Sequence, residues 1–436
     1  MYRSVKRNKQ LIGVGLFSCT ILAVILIIYF VSRRPSKTVT EIYFADRMTV
    51  AHYILIDRYN ATHAGSIKVI PVDFQNSDFS TDTRKEILAR SLRGEDDAID
   101  LLAVDVIWVH RFAKWCEPLG QYFDEHQRKR ISELALQTCY HEGELVAVPL
   151  DLVQGVMYYR EDILRKYPQS NRIIEDLQKG MTWQQFLDLQ SRLKYEGPFY
   201  IYPAADYEGL ICIYMEVLLG LRPNYFEEAG FRFDTPESKK ALQMLVDLVH
   251  KYHATPPVVS NFTEVPSYEY YIQNNGLFIH GWTNYDKDFN VDSSKEKYLR
   301  KTLVPFLPGG HTTSINGGWN LMMSKSSNKK EAVVDFMRYL LSDEAQEIFY
   351  TESGFYPVLK AFYSDSTYIK RYPEFQMMKE LMRYGVHRPM QENYTKYSKI
   401  MARYFYLAIQ GKMSVDKALR QVQTSIESEG TLTVNR

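Results

Sequence analysis

The sequence predicts an α/β protein built on a largely parallel sheet, and three observations predict it. Between residues 39 and 104, short β-branched and aromatic runs alternate with helical stretches, the pattern of parallel strands joined by crossover helices. Beyond residue 160 the chain reads as mostly helical, yet strand-like runs recur late in it, as expected where a chain re-enters an earlier sheet. The 436 residues, 45% apolar, 14% aromatic and 24% charged, have the composition of a folded globular protein and suffice for two or three domains.

The first segment is distinct from the rest. Residues 11–32, LIGVGLFSCTILAVILIIYFVS, are uncharged, and as a helix at about 1.5 Å per residue they span the roughly 30 Å hydrocarbon layer of a bilayer. Residues 1–10 form a basic, cytoplasmic N-terminus, residues 11–32 a transmembrane anchor or signal segment, and residues 33–38 a linker. The apolar run continues through Tyr29 and Phe30 into Arg33 and Arg34, which favours an uncleaved anchor with the body outside. The expected location is thus the cell membrane, single-pass, with the N-terminus inside; a lipoprotein or a secreted protein is the alternative. Leu16-Phe17-Ser18-Cys19 resembles a lipidation signal, but Phe17 is bulky for it and apolar residues continue past Cys19.

Removing the first 37 residues, with their seven cations and no acid, leaves 46 basic residues against 52 acidic ones. This excludes a strongly basic nucleic-acid-binding body. Four cysteines are too few for a disulfide-framed fold. In an extracytoplasmic body Cys116 and Cys139 are candidates for a disulfide, the alternative being two small buried side chains.

The elements follow in order. Strands are expected at 39–44, 67–74 and 99–104, with helices at 49–61 and 84–92 between them. Further strands are expected at 144–150 and 156–159, and late ones at 276–280, 302–306 and 320–324. Thr182 with Gln185, and Asn328 with Glu331, have the spacing of capping boxes ahead of apolar stripes, and Pro236 sits in the first turn of a helix opened by Asp234 and Thr235.

No phosphate loop, zinc-protease helix, paired-cysteine motif, hydrolase elbow or dinucleotide fingerprint is present, and the ten histidines are scattered. No catalytic residue, metal or cofactor is assigned. What stands out is two tryptophans at strand ends beside glycine: Gly281-Trp282 after GLFIH, and Gly317-Gly318-Trp319 before NLMMS. Such rings either line a cleft, offering an apolar face to the C–H side of a sugar, or cap the core.

Taken together, these stretches resemble the extracellular solute-binding proteins of carbohydrate ABC importers, the maltose-binding-protein type. The matching runs are IDLLAVDVIW (99–108), GELVAVPLDLVQGVMYYR (143–160) followed by EDIL, MTWQQF (181–186), residues 233–242 and 276–282. The longest series is VPFLPGG, GGWNLMMSK, EAVVDFMRYLLSDEAQEIFY and SGFYPV between residues 304 and 358. The resemblance implies a two-lobed, periplasmic-binding-protein-like (type II) clamshell with three hinge crossings near Leu150, Val304 and Tyr356. Residues 39–150 and 306–354 would form lobe one, and residues 151–303 and 358–436 lobe two.

It also implies ligand-binding roles for Ala45, Asp46 and Arg47 after the first strand, Asp105 and Trp108 at the end of the third, Asp151 in the hinge, and Trp282 and Trp319. The implied function is capture of a sugar or oligosaccharide and its delivery to ABC permease subunits by a monomeric, membrane-tethered body that binds no nucleic acid. A tethered protein reporting to a sensor shares every site residue. A glycosidase would need two carboxylates about 5–9.5 Å apart, for which Asp46, Asp105 and Asp151 are available without a supporting motif.

Overall fold

The computed structural model describes residues 39–74, 81–94, 99–289 and 291–434. The anchor segment 11–32 and Cys19 lie outside them. Among the described residues no helix is long and apolar enough to cross a membrane.

Two sheets organise the body. The first contains β1 (Thr40–Asp46), β2 (Ile67–Asp73), β3 (Leu101–Asp105), β4 (Val148–Pro149) and, entering late, β10 (Trp319–Met323), in the order β2-β1-β3-β10-β4. β2, β1 and β3 are parallel and β10 runs antiparallel to β3. The crossovers are α1 (Val50–Thr62) and α2 (Thr81–Arg93). β1 and β3 are apolar on both faces because helices cover both: Ile42, Phe44, Leu101, Leu102, Ala103 and Val104 are fully buried.

The second sheet is built around β5 (Val153–Arg160), buried along its whole length. β7 (Phe278–Trp282) pairs along one edge of β5; the other edge is shared by β9 (Ser314–Gly317) and β8 (Leu299–Thr302). β6 (Tyr200–Ile201) extends the sheet beyond β7, and β11 (Gly385–Val386) extends it beyond β9. The helix α3 (Glu208–Leu221) packs on this lobe and is apolar nearly all round because it is buried nearly all round.

The chain passes from the first sheet to the second at residues 150–152 and returns at Gly318. A third strand of the junction is Tyr356, whose backbone N–H and C=O both bond Leu152 at 3.1 Å. The second crossing is therefore at Gly318 and not near Val304, and lobe one resumes at Trp319 and not at residue 306. Phe306 stays with the second lobe through its N–H bond to the Met181 carbonyl, 3.1 Å, and β9 adds a further strand there before the chain returns. The four residues of β9, SING, carry no apolar run by which to recognise a strand.

Local chemistry accounts for most helix starts. Thr182 and Gln185 form a reciprocal capping box, and the Thr235 hydroxyl accepts from the Ser238 N–H with Pro236 in the first turn. The box expected at Asn328 and Glu331 does not form: Lys329 occupies the cap position, its N–H bonded to the Ser327 hydroxyl at 3.3 Å. The strand expected at 302–306 lies earlier, at Leu299–Thr302. Of the two readings of Cys116 and Cys139, the structure shows the pair of small buried side chains and not the disulfide. Both thiols are free and buried, Cys139 directed at the Ala135 carbonyl, 3.7 Å away, and burial pushes the Cys116 thiol up to about 12.

Candidate functional site

In open α/β sheets ligands sit at the carboxyl ends of the parallel strands, where helix starts and loops diverge. Here β1 ends at Asp46 and β3 at Asp105, and the antiparallel return of β10 sets Trp319 directly opposite Asp105. In the other lobe β7 ends at Trp282, paired with Gly155 of β5.

Glycine lets the Trp282 ring approach the crossing. A Cβ on Gly317 would lie 3.1 Å from the Trp282 ring, so that ring rests on the backbone beside the crossing, two positions from Trp319. Gly318 has φ +134°, and a Cβ there would stand 2.4 Å from the Asp151 carbonyl oxygen. The Asp151 side chain in turn accepts the backbone N–H of Trp319 at 3.2 Å. Burial, and next the negative charge of Asp46, raise its carboxyl well above the ordinary range.

The charged residues around these rings are mostly engaged. Asp46, 3% exposed, accepts from Arg84 at 2.6 Å and lies 3.1 Å from His52. Burial alone would raise its carboxyl; Arg84 and His52 outweigh that and lower it. Arg84 also lies over the Trp319 ring, its guanidinium carbon 3.9 Å from the centroid. Arg47 reaches across to the other lobe, 2.5 Å from Asp288 on the short helix Tyr285–Asp288 that follows β7. Asp105 and Glu208, the first residue of α3, are each 2.9 Å from Arg388, which ties the two lobes together. Tyr394 donates to Glu208 at 2.7 Å.

The tertiary structure thus gathers Asp46, Arg47, Asp105, Asp151, Trp282 and Trp319 about one inter-lobe junction. Trp108 is a correction: at 2% exposure it stacks on Phe112 and meets Trp319 edge-on, so it backs the junction and does not line it. Ala45 is likewise fully buried. Sequence reasoning missed Arg84, Glu208 and Arg388. Glu208 carries a weak signal, an acid opening a long apolar helix; Arg388, in the segment VHRPM, carries none.

Trp282 is held from below. Its strand neighbour His280 bonds the buried Glu216 at 2.7 Å, and Glu216 also accepts the Ile315 N–H at 3.0 Å. Only glycine fits at 155, where a Cβ would fall 2.0 Å from that carboxylate. Among the described residues no group of three or more His, Cys, Asp or Glu side chains is placed to hold a metal ion.

Residues 43–347 match the family model of the bacterial extracellular solute-binding proteins. This chain belongs to that family. A curated relative of the solute-binding protein, a probable ABC transporter-binding protein of Deinococcus radiodurans, is 23% identical over 329 residues, covering 73% of this chain and 76% of the relative. Among solved structures, maltose-bound MalE3 of T. maritima superposes with a TM-score of 0.79 at 24% identity, covering 89% of this chain and 99% of that one. A solute-binding protein of Thermotoga lettingae bound to α-D-tagatose superposes with a TM-score of 0.73 at 20% identity, covering 90% and 99%. The solute-binding protein therefore has the two-lobed α/β fold of these neighbours, and its family is one of extracytoplasmic ligand capture, not of catalysis.

Proposed function

We propose that this solute-binding protein captures a sugar or polyol between its lobes and passes it to the permease of an ABC importer, tethered to the membrane by residues 11–32. Asp46, Arg47, Asp105, Asp151, Trp282 and Trp319 contribute to the site, Trp108 supporting it from behind. The observation that carries the reading is that two indoles, one from each sheet, flank a glycine crossing near which two buried guanidinium nitrogens, Arg84 Nε and Arg388 Nε, have no partner. Buried donors are normally satisfied, and hydroxyl-rich ligands satisfy such groups while the rings cover their C–H faces. The ligands of the two solved relatives, maltose and α-D-tagatose, are of this chemistry.

The test is a thermal-shift screen of the full chain, purified in detergent, against a sugar and polyol panel. A ligand that binds only the folded state raises the melting temperature, by an amount that grows with its concentration. A panel without one such compound overturns the reading. For the tether, alkaline extraction should leave the full chain in the membrane pellet and release a body starting at residue 39.

A further inference from the structure

Resting on the sugar-capture reading, we infer that the short helix Tyr285–Asp288 is an inter-lobe latch that sets ligand affinity through protein contacts alone. The helix begins three residues after Trp282, and Thr283 between them is fixed to the hinge strand, its N–H bonded to the Gln154 carbonyl at 3.0 Å. Its three consecutive charged side chains all lead to lobe one. Asp288 meets Arg47 at 2.5 Å. The Lys287 ammonium donates to the Tyr350 carbonyl at 3.2 Å and stands 4.0 Å from the centroid of the Tyr350 ring. Asp286 pairs at 2.9 Å with Lys301 of β8, and that buried ammonium lies 3.9 Å from Glu374 and 5.7 Å from the centroid of the Tyr356 ring. Glu374 is on the lobe-one side, because the helix Glu374–Leu381 packs there, with the Phe375 and Tyr350 rings 4.5 Å apart.

The lobe-one surface that receives these side chains is shaped for them. Gly354 ends the helix Asp343–Ser353 at φ +73° and leaves the room the latch occupies: a Cβ there would lie 2.9 Å from the Lys287 Cβ and 3.3 Å from the Asn284 backbone. Beside it the Ser353 hydroxyl donates to the Thr49 hydroxyl at 2.9 Å and accepts the Ala51 N–H at 3.3 Å. The socket is thereby tied to the segment that carries Arg47. Charges match across the seam, Asp288 with Arg47 and Lys301 with Glu374, while Lys287 finds a carbonyl and a ring. Each contact joins the two lobes, so each is lost when they part. Together they favour the closed arrangement with or without a sugar, and a ligand that binds only that arrangement gains affinity in proportion to the closed fraction.

The experiment measures lobe separation in the full chain, purified in detergent, by the distance between two spin labels on exposed sites, one in each lobe: Glu133→Cys and Arg172→Cys, in a Cys19→Ala background. Cys116, Cys139 and Cys212 are buried and stay unlabelled. Without sugar, part of the wild-type chain is expected at the separation this structure gives. Lys287→Met, which keeps the apolar stem and removes the charge, should lower the closed-to-open ratio roughly threefold, and Lys287→Arg should restore it. Gly354→Ala should lower it as well: the strain of φ +73° is present in both arrangements, so only the contact with Lys287 shifts the balance. Any compound bound in the sugar panel should lose affinity for these variants by the factor the closed fraction loses, while Lys287→Met melts within a few degrees of wild type. A distance distribution that neither variant changes, whatever their melting temperatures, or a sugar-free wild type with no closed population, overturns the latch and leaves sugar capture standing. If no sugar binds, the functional reading falls, and the distance distributions still decide the latch.

Discussion

The guanidinium of Arg388 lies 2.9 Å from the carboxylate of Asp105, a residue 283 positions earlier and in the other lobe. The guanidinium is buried, its carboxylates partly so, and the bridge continues to Glu208, so the tail of the chain clasps the end of β3 to the start of α3. Two neighbours extend the clasp: Glu392 pairs with Lys114 at 2.8 Å, and His387 is buried deeply enough to lower its imidazole to about 4.

Removing the centre of this clasp should be costly. Arg388→Ala leaves two carboxylates without their cation and is expected to reduce the free energy of unfolding by about 3–5 kcal/mol. Urea denaturation measures it. A loss under about 1 kcal/mol, typical of an exposed pair, would mean the bridge is solvated in solution.

Gly318→Ala should strain the crossing. At φ +134°, with a Cβ set 2.4 Å from the Asp151 oxygen, the change is expected to cost on the order of 1–3 kcal/mol or more. Gly120, where a Cβ meets nothing within 4 Å, is the control, and its Ala variant should be close to wild type. Equal melting temperatures for the two variants would refute the packing at the hinge.

Asp151 gives a pH dependence with a defined sign. Its ordinary value is 3.8 and burial, then Asp46, raise it in the folded state. Below 3.8 both states hold the proton and the group is neutral to stability. Above 3.8 the unfolded chain releases the proton and the folded chain retains it, so this group's contribution declines as pH rises until the folded value is passed. Asp151→Asn, which can still accept the Trp319 N–H, should therefore match wild type near pH 3 and be the more stable of the two at pH 7. Stability differences that are equal at both pH values would contradict the raised carboxyl.

Trp282 and Trp108 should separate cleanly. Trp282→Ala is expected to weaken ligand binding by roughly 1.5–3 kcal/mol, a ten- to hundredfold rise in Kd. Trp108→Ala should instead cost about 3–5 kcal/mol of stability, as for a filled core position, with affinity in the folded fraction unchanged. Titration of both variants, paired with melting curves, decides; a reversed pattern would exchange their roles.

The strand-helix alternation of residues 39–105 was legible in the sequence because each buried strand is a run of apolar residues bounded by polar turns, a signal that is local in the chain. The same holds for the Thr182 and Thr235 caps, whose partners lie three residues away. Trp282 and Trp319 were legible as strand-end rings because the glycines that make room for them adjoin them in sequence.

What the sequence could not state is set by contacts between distant segments. β9 is a strand only because β5 and β11 flank it, and that moved the second crossing from Val304 to Gly318. Trp108 is core because Phe112 and Trp319 close over it, and Arg47 spans the lobes because the helix following β7 brings Asp288 within reach. Arg388 gathers Asp105 and Glu208 across 283 and 180 positions of chain. Composition and periodicity are summed over neighbours along the chain, so they fix the elements and their apolar faces; charge pairing and burial depend on distances in space, and only the folded structure assigns them.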